Sequence, residues 1–198
     1  MKKQRYIIAS SEDHVGKITL NRPEVHNAIH IEMIREISDA LSRLSKKKNI
    51  RLIVIRANGE NFSAGADLKW MKKGLEQSKK ELTSESEELA KLFNTIYNSQ
   101  KVTLAVAKGK VMGGANGIIA AADISVATKD TSFAFSEVKL GMIPATIAPY
   151  IVARTGKSAA KEWMLTGRMI DAREAYERGL INRLVLNDDP DEYVQQLQ

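Results

Sequence analysis

The chain has 198 residues, 43% of them hydrophobic, enough for one domain with a real core, and its apolar runs, such as residues 118–122, fall far short of the roughly 20 residues of a membrane span. It has no cysteine, which excludes disulfides, thiolate nucleophiles, iron–sulfur clusters and thiolate zinc sites and fits a reducing, cytoplasmic setting; no secretory signal follows the opening MKKQRYIIASSE. Thirty Lys and Arg against 24 Asp and Glu give a net charge of +6, which favours an anionic partner, but the basic residues are scattered in pairs and one triplet (Lys46-Lys47-Lys48) and aromatics are only 6%, poor material for stacking nucleic-acid bases.

Residues 5–9 and 15–20 are β-rich and flank a turn-prone 10–14, predicting an opening hairpin. Ile34, Ile37, Leu41 and Leu44 recur at helical spacing, and the continuous apolar run 52–55 predicts a strand covered on both faces. A polar loop at 58–63 leads to a short helix at 66–73 and then to a charged surface excursion at 74–81. Ser84 and Glu87 have capping-box spacing at the head of a helix whose apolar face is Leu89, Leu92, Phe93, Ile96 and Tyr97. Strands are expected at 103–107, 124–127 and 132–135, and helices at 115–122, 148–154, 158–165 and 171–178, with Gly179 as a stop. The alternation predicts one α/β layered architecture.

Ready-made motifs fail. Thr155-Gly156-Lys157-Ser158 has the ending of a phosphate loop, but Ile151 stands where its first glycine belongs, and a helix precedes it. There is no G-x-S-x-G elbow, and His14, His26 and His30 lack metal-ligand spacing, so each reads as a loop or helix-cap residue. Two glycine-rich segments carry more information: Phe62-Ser63-Ala64-Gly65-Ala66-Asp67-Leu68 and Val111-Met112-Gly113-Gly114-Ala115-Asn116-Gly117. Each follows a buried-strand pattern and opens a helix, so small residues leave backbone N–H groups bare for a carbonyl oxygen or a phosphate. Two such donors on one point make an oxyanion hole, although ordinary tight turns have the same composition.

The set LNRP at 20–23, NA at 27–28, FSAGADL at 62–68, GGANG at 113–117, AAD at 121–123, FSEVKLGMIPA at 135–145, LTGR at 165–168 and GLINRLV at 179–185 resembles the crotonase superfamily of enoyl-CoA hydratases and isomerases, in order along nearly the whole chain. Within it, GADLKWM and FSEVKLGMIPATIAPYI are most similar to hydratases of methylglutaconyl-CoA and isohexenylglutaconyl-CoA. The resemblance implies an α/β spiral of β-β-α units, the ClpP/crotonase architecture, with residues 1–185 as core and 186–198 as the start of an incomplete helical region. It implies a CoA thioester as partner and substrate, no separate cofactor, and assembly into a trimer or dimer of trimers, expected to be weakened here.

Matched motif to motif, the resemblance makes the N–H groups of Ala66 and Gly114 the oxyanion donors and Glu137 the proton carrier. Ala64, Gly65, Gly113 and Gly117 fall in the two substrate-binding segments, Asp67 and Leu68 border the adenine side, and His26 and Lys69 lie where relatives hold CoA phosphates. Asn116 either orients a water or packs inward. Relatives with two catalytic glutamates carry the first where this chain has Gly117. One buried carboxylate is enough for a proton shuttle. The expectation is therefore a 2-enoyl-CoA hydratase, with a Δ3-Δ2-enoyl-CoA isomerase or a catalytically weak acyl-CoA- or RNA-binding relative as alternatives; RNA binding through several phosphates would collapse with added salt.

Overall fold

Asp13 and His14 both take positive φ, 42° and 69°, a two-residue reversal that folds β1 (Ile7–Glu12) back on β2 (Val15–Leu20) in antiparallel register from Ile7–Leu20 to Glu12–Val15. The predicted hairpin is present, its second arm with the expected bounds, its first arm running on to Glu12 and its turn tighter than expected. The structure, a computed structural model, describes residues 6–74, 76–185 and 190–197; Arg5, the expected first strand residue, and residues 186–189, where the expected tail begins, lie outside them.

The chain continues through α1 (Ile31–Ser45), β3 (Leu52–Ala57), α2 (Leu68–Gly74), α3 (Lys79–Tyr97), β4 (Val102–Ala107), β5 (Lys110–Met112), α4 (Ala115–Ala121), β6 (Ile124–Thr128), β7 (Ser132–Ala134), a 3-10 turn Ser136–Leu140, α5 (Ala148–Thr166), β8 (Ile170–Asp171), α6 (Ala172–Glu177), β9 (Arg183–Val185) and α7 (Pro190–Gln196). One sheet runs β1-β2-β3-β4-β6-β9, parallel from β2 onward. Its central strands are covered on both faces, so they read as apolar runs rather than alternations. In β3, Ile53 and Ile55 join the main core with α1 and α3, while Leu52 and Val54 join Val15, Leu104, Val106 and Val126 under Val194 of α7.

A second ladder stacks the successive crossovers. It begins with the Ile29–Ala66 bridge, continues with Ser63–Val111, and passes through β5–β7 to Phe133–Ile170. Each turn of chain thus contributes a strand to the first sheet, an extended piece to the second, and a helix that packs outside: the spiral of β-β-α units expected from the motifs.

Two local expectations change. The capping box of α3 is Ser78 with Glu81, not Ser84 with Glu87: Ser78 Oγ accepts from Glu81 N, and Ser78 N donates to Glu81 Oε2 at 2.8 Å. The helix therefore starts inside the stretch expected to be a free excursion, because two S-x-x-E frames lie six residues apart and the earlier one adds turns that pack Trp70 Nε1 on Glu85 at 2.7 Å. Strands β5, β8 and β9, of two or three residues, were not expected; such short pieces carry no usable period and exist through their ladder partners. The two helices expected at 148–154 and 158–165 are present: Gly156, the centre of the failed phosphate loop, breaks α5 between them with φ 76° and ψ 163°.

Candidate functional site

The first glycine-rich segment is held by a polar network behind it. Asn27, fully buried at φ 53°, accepts from Arg22 N at 2.8 Å through Oδ1 and donates through Nδ2 to Asn58 O and Asn61 O at 2.8 and 2.9 Å. Its carbonyl accepts from Ser63 Oγ at 2.8 Å, and that hydroxyl oxygen accepts from Gly65 N at 3.1 Å. Ile29 N donates to Gly65 O and Asp67 N to Ile29 O, so the backbone groups of residues 65 and 67 face Ile29. Alternation along an extended chain turns the Ala66 N–H the other way, and among the described residues it has no acceptor. Gly65 is required here: its φ is +90°, and a Cβ would lie 2.9 Å from Met112 O.

Asp67 ends this segment. Its Oδ1 accepts from Lys69 N at 2.9 Å, its Oδ2 pairs with Arg22 Nη2 at 3.0 Å, and Arg22 Nη1 reaches Ala28 O at 2.6 Å. Burial works to raise the Asp67 pKa, but the Lys69 N–H, Arg22 and the Trp70 N–H together outweigh it and hold the carboxyl below its usual range. The Asp67 side chain is thus a helix cap and ion-pair partner, and its main chain is engaged as well: its N–H donates to Ile29 O at 2.8 Å and its carbonyl accepts from Met71 N at 2.9 Å.

The second segment lies beside the first. The Ser63–Val111 bridge joins them, and the α-carbon of Gly65 packs against Met112 O. Gly113 (φ +51°) donates its N–H to Ala134 O at 2.8 Å, whereas the Gly114 N–H has no acceptor among the described residues. Two bare donors therefore belong to neighbouring turns of the spiral.

Glu137 sits on the 3-10 turn after β7, and a methyl placed on Gly113 would be 3.2 Å from its Oε1. Its Oε2 is buried without a hydrogen-bond partner. Burial pushes the carboxyl pKa up, opposed more weakly by the Glu137 backbone N–H. Leu140, Met142 and Ile143 expose apolar surface immediately after it.

The other expected residues are placed as follows. Ala64, Leu68 and Lys69 are exposed; Lys69 lines an open cleft of about 480 Å³ with Tyr6, Arg22, His30 and Trp70. His26 is exposed, its Nδ1 3.0 Å from Asn61 Nδ2, and its carbonyl accepts from Ala64 N at 2.8 Å. His30 caps α1 through Nδ1 to Met33 N at 3.3 Å, the role expected of an isolated histidine. Gly117 is buried, with Ile147 Cγ2 at 2.5 Å and Phe93 Cε1 at 2.7 Å from where a Cβ would start, so it packs inward, unlike the half-buried Gly114 of its segment. Sequence reasoning missed Arg22, Asn27 and Ser63 as supports. The one available signal was a buried-type Asn after His26 in a left-handed turn, which residue order alone does not reveal.

The sequence profile of the family described as Enoyl-CoA hydratase/isomerase matches residues 10–197. A Thermus thermophilus protein provisionally named as an enoyl-CoA hydratase is 34% identical over 178 residues, 90% of this chain and 70% of that protein. The enoyl-CoA hydratase ACTT6 of Alternaria alternata is 33% identical over 173 residues, 87% of this chain and 56% of that protein, so the chain spans little more than half of that relative's length. The crystal structure of an enoyl-CoA hydratase from Shewanella pealeana superposes with a TM-score of 0.94 at 36% identity, covering 98% of this chain and 72% of that one. With the stacked β-β-α spiral and the two glycine-rich segments at neighbouring positions in it, these likenesses establish that the chain belongs to the enoyl-CoA hydratase/isomerase family and has the crotonase fold.

Proposed function

We propose that the chain adds water across the 2,3-double bond of a 2-enoyl-CoA thioester, with a branched or carboxylated acyl group such as methylglutaconyl. The observation that carries this reading is Glu137: a carboxylate with a raised pKa and an unpartnered Oε2, packed over the residue that precedes the bare Gly114 N–H. The thioester oxygen accepts from the Ala66 and Gly114 N–H groups, which favour the enolate over the ground-state carbonyl. Ionised Glu137 takes one proton from water while the water oxygen bonds to C3. The protonated carboxyl then returns that proton to C2, so atoms and charge balance. A raised pKa suits a group that must both take and give the proton near neutrality.

A second reading, transfer of a 3-enoyl to a 2-enoyl double bond, is favoured by Gly117, where Phe93 and Ile147 supply apolar packing and no second carboxylate. Glu137 would take the proton from C2 and return it at C4. Incubation with matched 2-enoyl-CoA and 3-enoyl-CoA thioesters separates them: hydration adds the mass of one water, whereas isomerisation leaves the mass unchanged and moves the vinyl signals in the proton spectrum. Glu137→Gln is expected to abolish either product while acyl-CoA still binds. Absence of both products with the unaltered chain, or undiminished turnover by the variant, overturns the assignment.

A further inference from the structure

Asn116 lies one turn below Gly113 and is completely buried. Its Nδ2 donates to Gly113 O at 2.9 Å and Ala134 O at 3.0 Å, with Val111 O at 3.4 Å. Three carbonyls around one atom fix the amide's orientation, since the oxygen could accept from none of them. Oδ1 is buried without a partner. A group that leaves a buried oxygen unsatisfied in order to hold carbonyls is not there for packing alone, because an apolar residue of the same shape would avoid that desolvation penalty.

The three carbonyls belong to the pieces that must be in register for the chemistry. Val111 is in β5, Gly113 is the turn residue that precedes the bare Gly114 N–H, and Ala134 ends β7 three residues before Glu137. Ala134 O accepts twice, from Gly113 N at 2.8 Å and from Asn116 Nδ2. We propose that Asn116 is a positioning residue that sets the separation between the donor at Gly114 and the proton carrier Glu137. It touches neither substrate nor reacting atoms and acts through the turn. The inference rests on the acid–base role of Glu137 given above, but its structural half does not require turnover.

The test compares Asn116→Leu and Asn116→Asp with the unaltered chain, after circular dichroism and thermal melting have shown each variant folded. In ¹⁵N and ¹³C nuclear magnetic resonance, Asn116→Leu is expected to speed exchange of the Gly113 amide, which donates to Ala134 O, by about tenfold or more and to move the titration of the Glu137 carboxyl, with exchange in β3 unaltered. With a thioester that the unaltered chain turns over, kcat is expected to fall by about tenfold or more while KM changes less than about threefold, since loss of register removes alignment rather than binding. Asn116→Asp is expected to recover in part relative to the unaltered chain as pH falls, because a protonated carboxyl can donate its one O–H to Gly113 O or Ala134 O and an ionised one cannot donate at all. If folded Asn116→Leu keeps both the Gly113 exchange and the Glu137 titration, the positioning role is wrong. If the unaltered chain turns over no thioester, the functional reading fails while the resonance result still decides this one. Should Asn116→Leu fail to fold, the Asn116→Asp pH series decides alone: a flat ratio overturns the proposal.

Discussion

Glu137 leans on the bare α-carbon of Gly113: a single methyl there would stand 3.2 Å from Oε1 and 3.8 Å from Oε2. The contact is tight enough that Gly113→Ala must push the carboxylate away or move the turn, and at φ +51° the alanine also carries a backbone penalty of about 1–2 kcal/mol. The expected outcome is a folded, slightly less stable protein with kcat lowered by about tenfold or more, because misplacement of the proton carrier loses alignment. Steady-state kinetics together with a urea titration test this, and unaltered kcat would show that the contact has no bearing on the chemistry.

Glu137 is expected to lower the stability of the ligand-free fold. Burial raises its folded pKa, so ionisation is harder in the folded than in the unfolded chain. Below the unfolded carboxylate value of about 4.3 the group is neutral in both states and no penalty applies; the penalty grows as pH rises toward the folded pKa and is constant above it. Glu137→Gln should therefore melt higher than the unaltered chain at neutral pH, and the gap should close below about pH 4. Melting curves from pH 4 to 8 that show no gap, or one that widens on acidification, contradict the burial argument.

Gly114 permits an unusually clean deletion of one donor. Its φ of −54° is the value proline prefers, and a Cβ there meets nothing within 4 Å. Gly114→Ala keeps the N–H and should retain near-normal kcat. Gly114→Pro removes the N–H and should lower kcat by about a hundredfold, as loss of one oriented oxyanion donor does. Parallel kinetics on the two variants decide it: equal rates would exclude that N–H from the reaction.

Arg154 governs stability through a set of main-chain carbonyls. Its guanidinium donates to Ala120 O, Ala122 O, Asp123 O and Leu180 O and to Ser125 Oγ, closing the end of α4 and binding α5 to the β6 and α6 region. Arg154→Met leaves several of these acceptors without a donor, and a loss of roughly 3 kcal/mol is expected. Urea unfolding gives the value directly; a loss under about 0.5 kcal/mol would mean that water replaces the guanidinium without cost.

The sequence alone indicated the architecture that the structure has, and it named the residues from which the proposed site is built. Continuous apolar strands such as 52–55 can be satisfied only between two covered faces, and Gly65, Gly113 and Glu137 stand in the motifs on which the proposed chemistry rests. The sequence did not choose between the Ser78–Glu81 and Ser84–Glu87 frames, and it left Asn116 open between two roles. Tertiary structure decided these, together with the strands of two or three residues, the apolar seat of Phe93 and Ile147 on Gly117, and the support of the first segment by Asn27 and Ser63. The physical reason is common to all of them. A short ladder strand, a buried amide or a contact across 24 residues of chain, as between Phe93 and Gly117, takes its energy from partners distant in sequence, and local propensity does not carry that information.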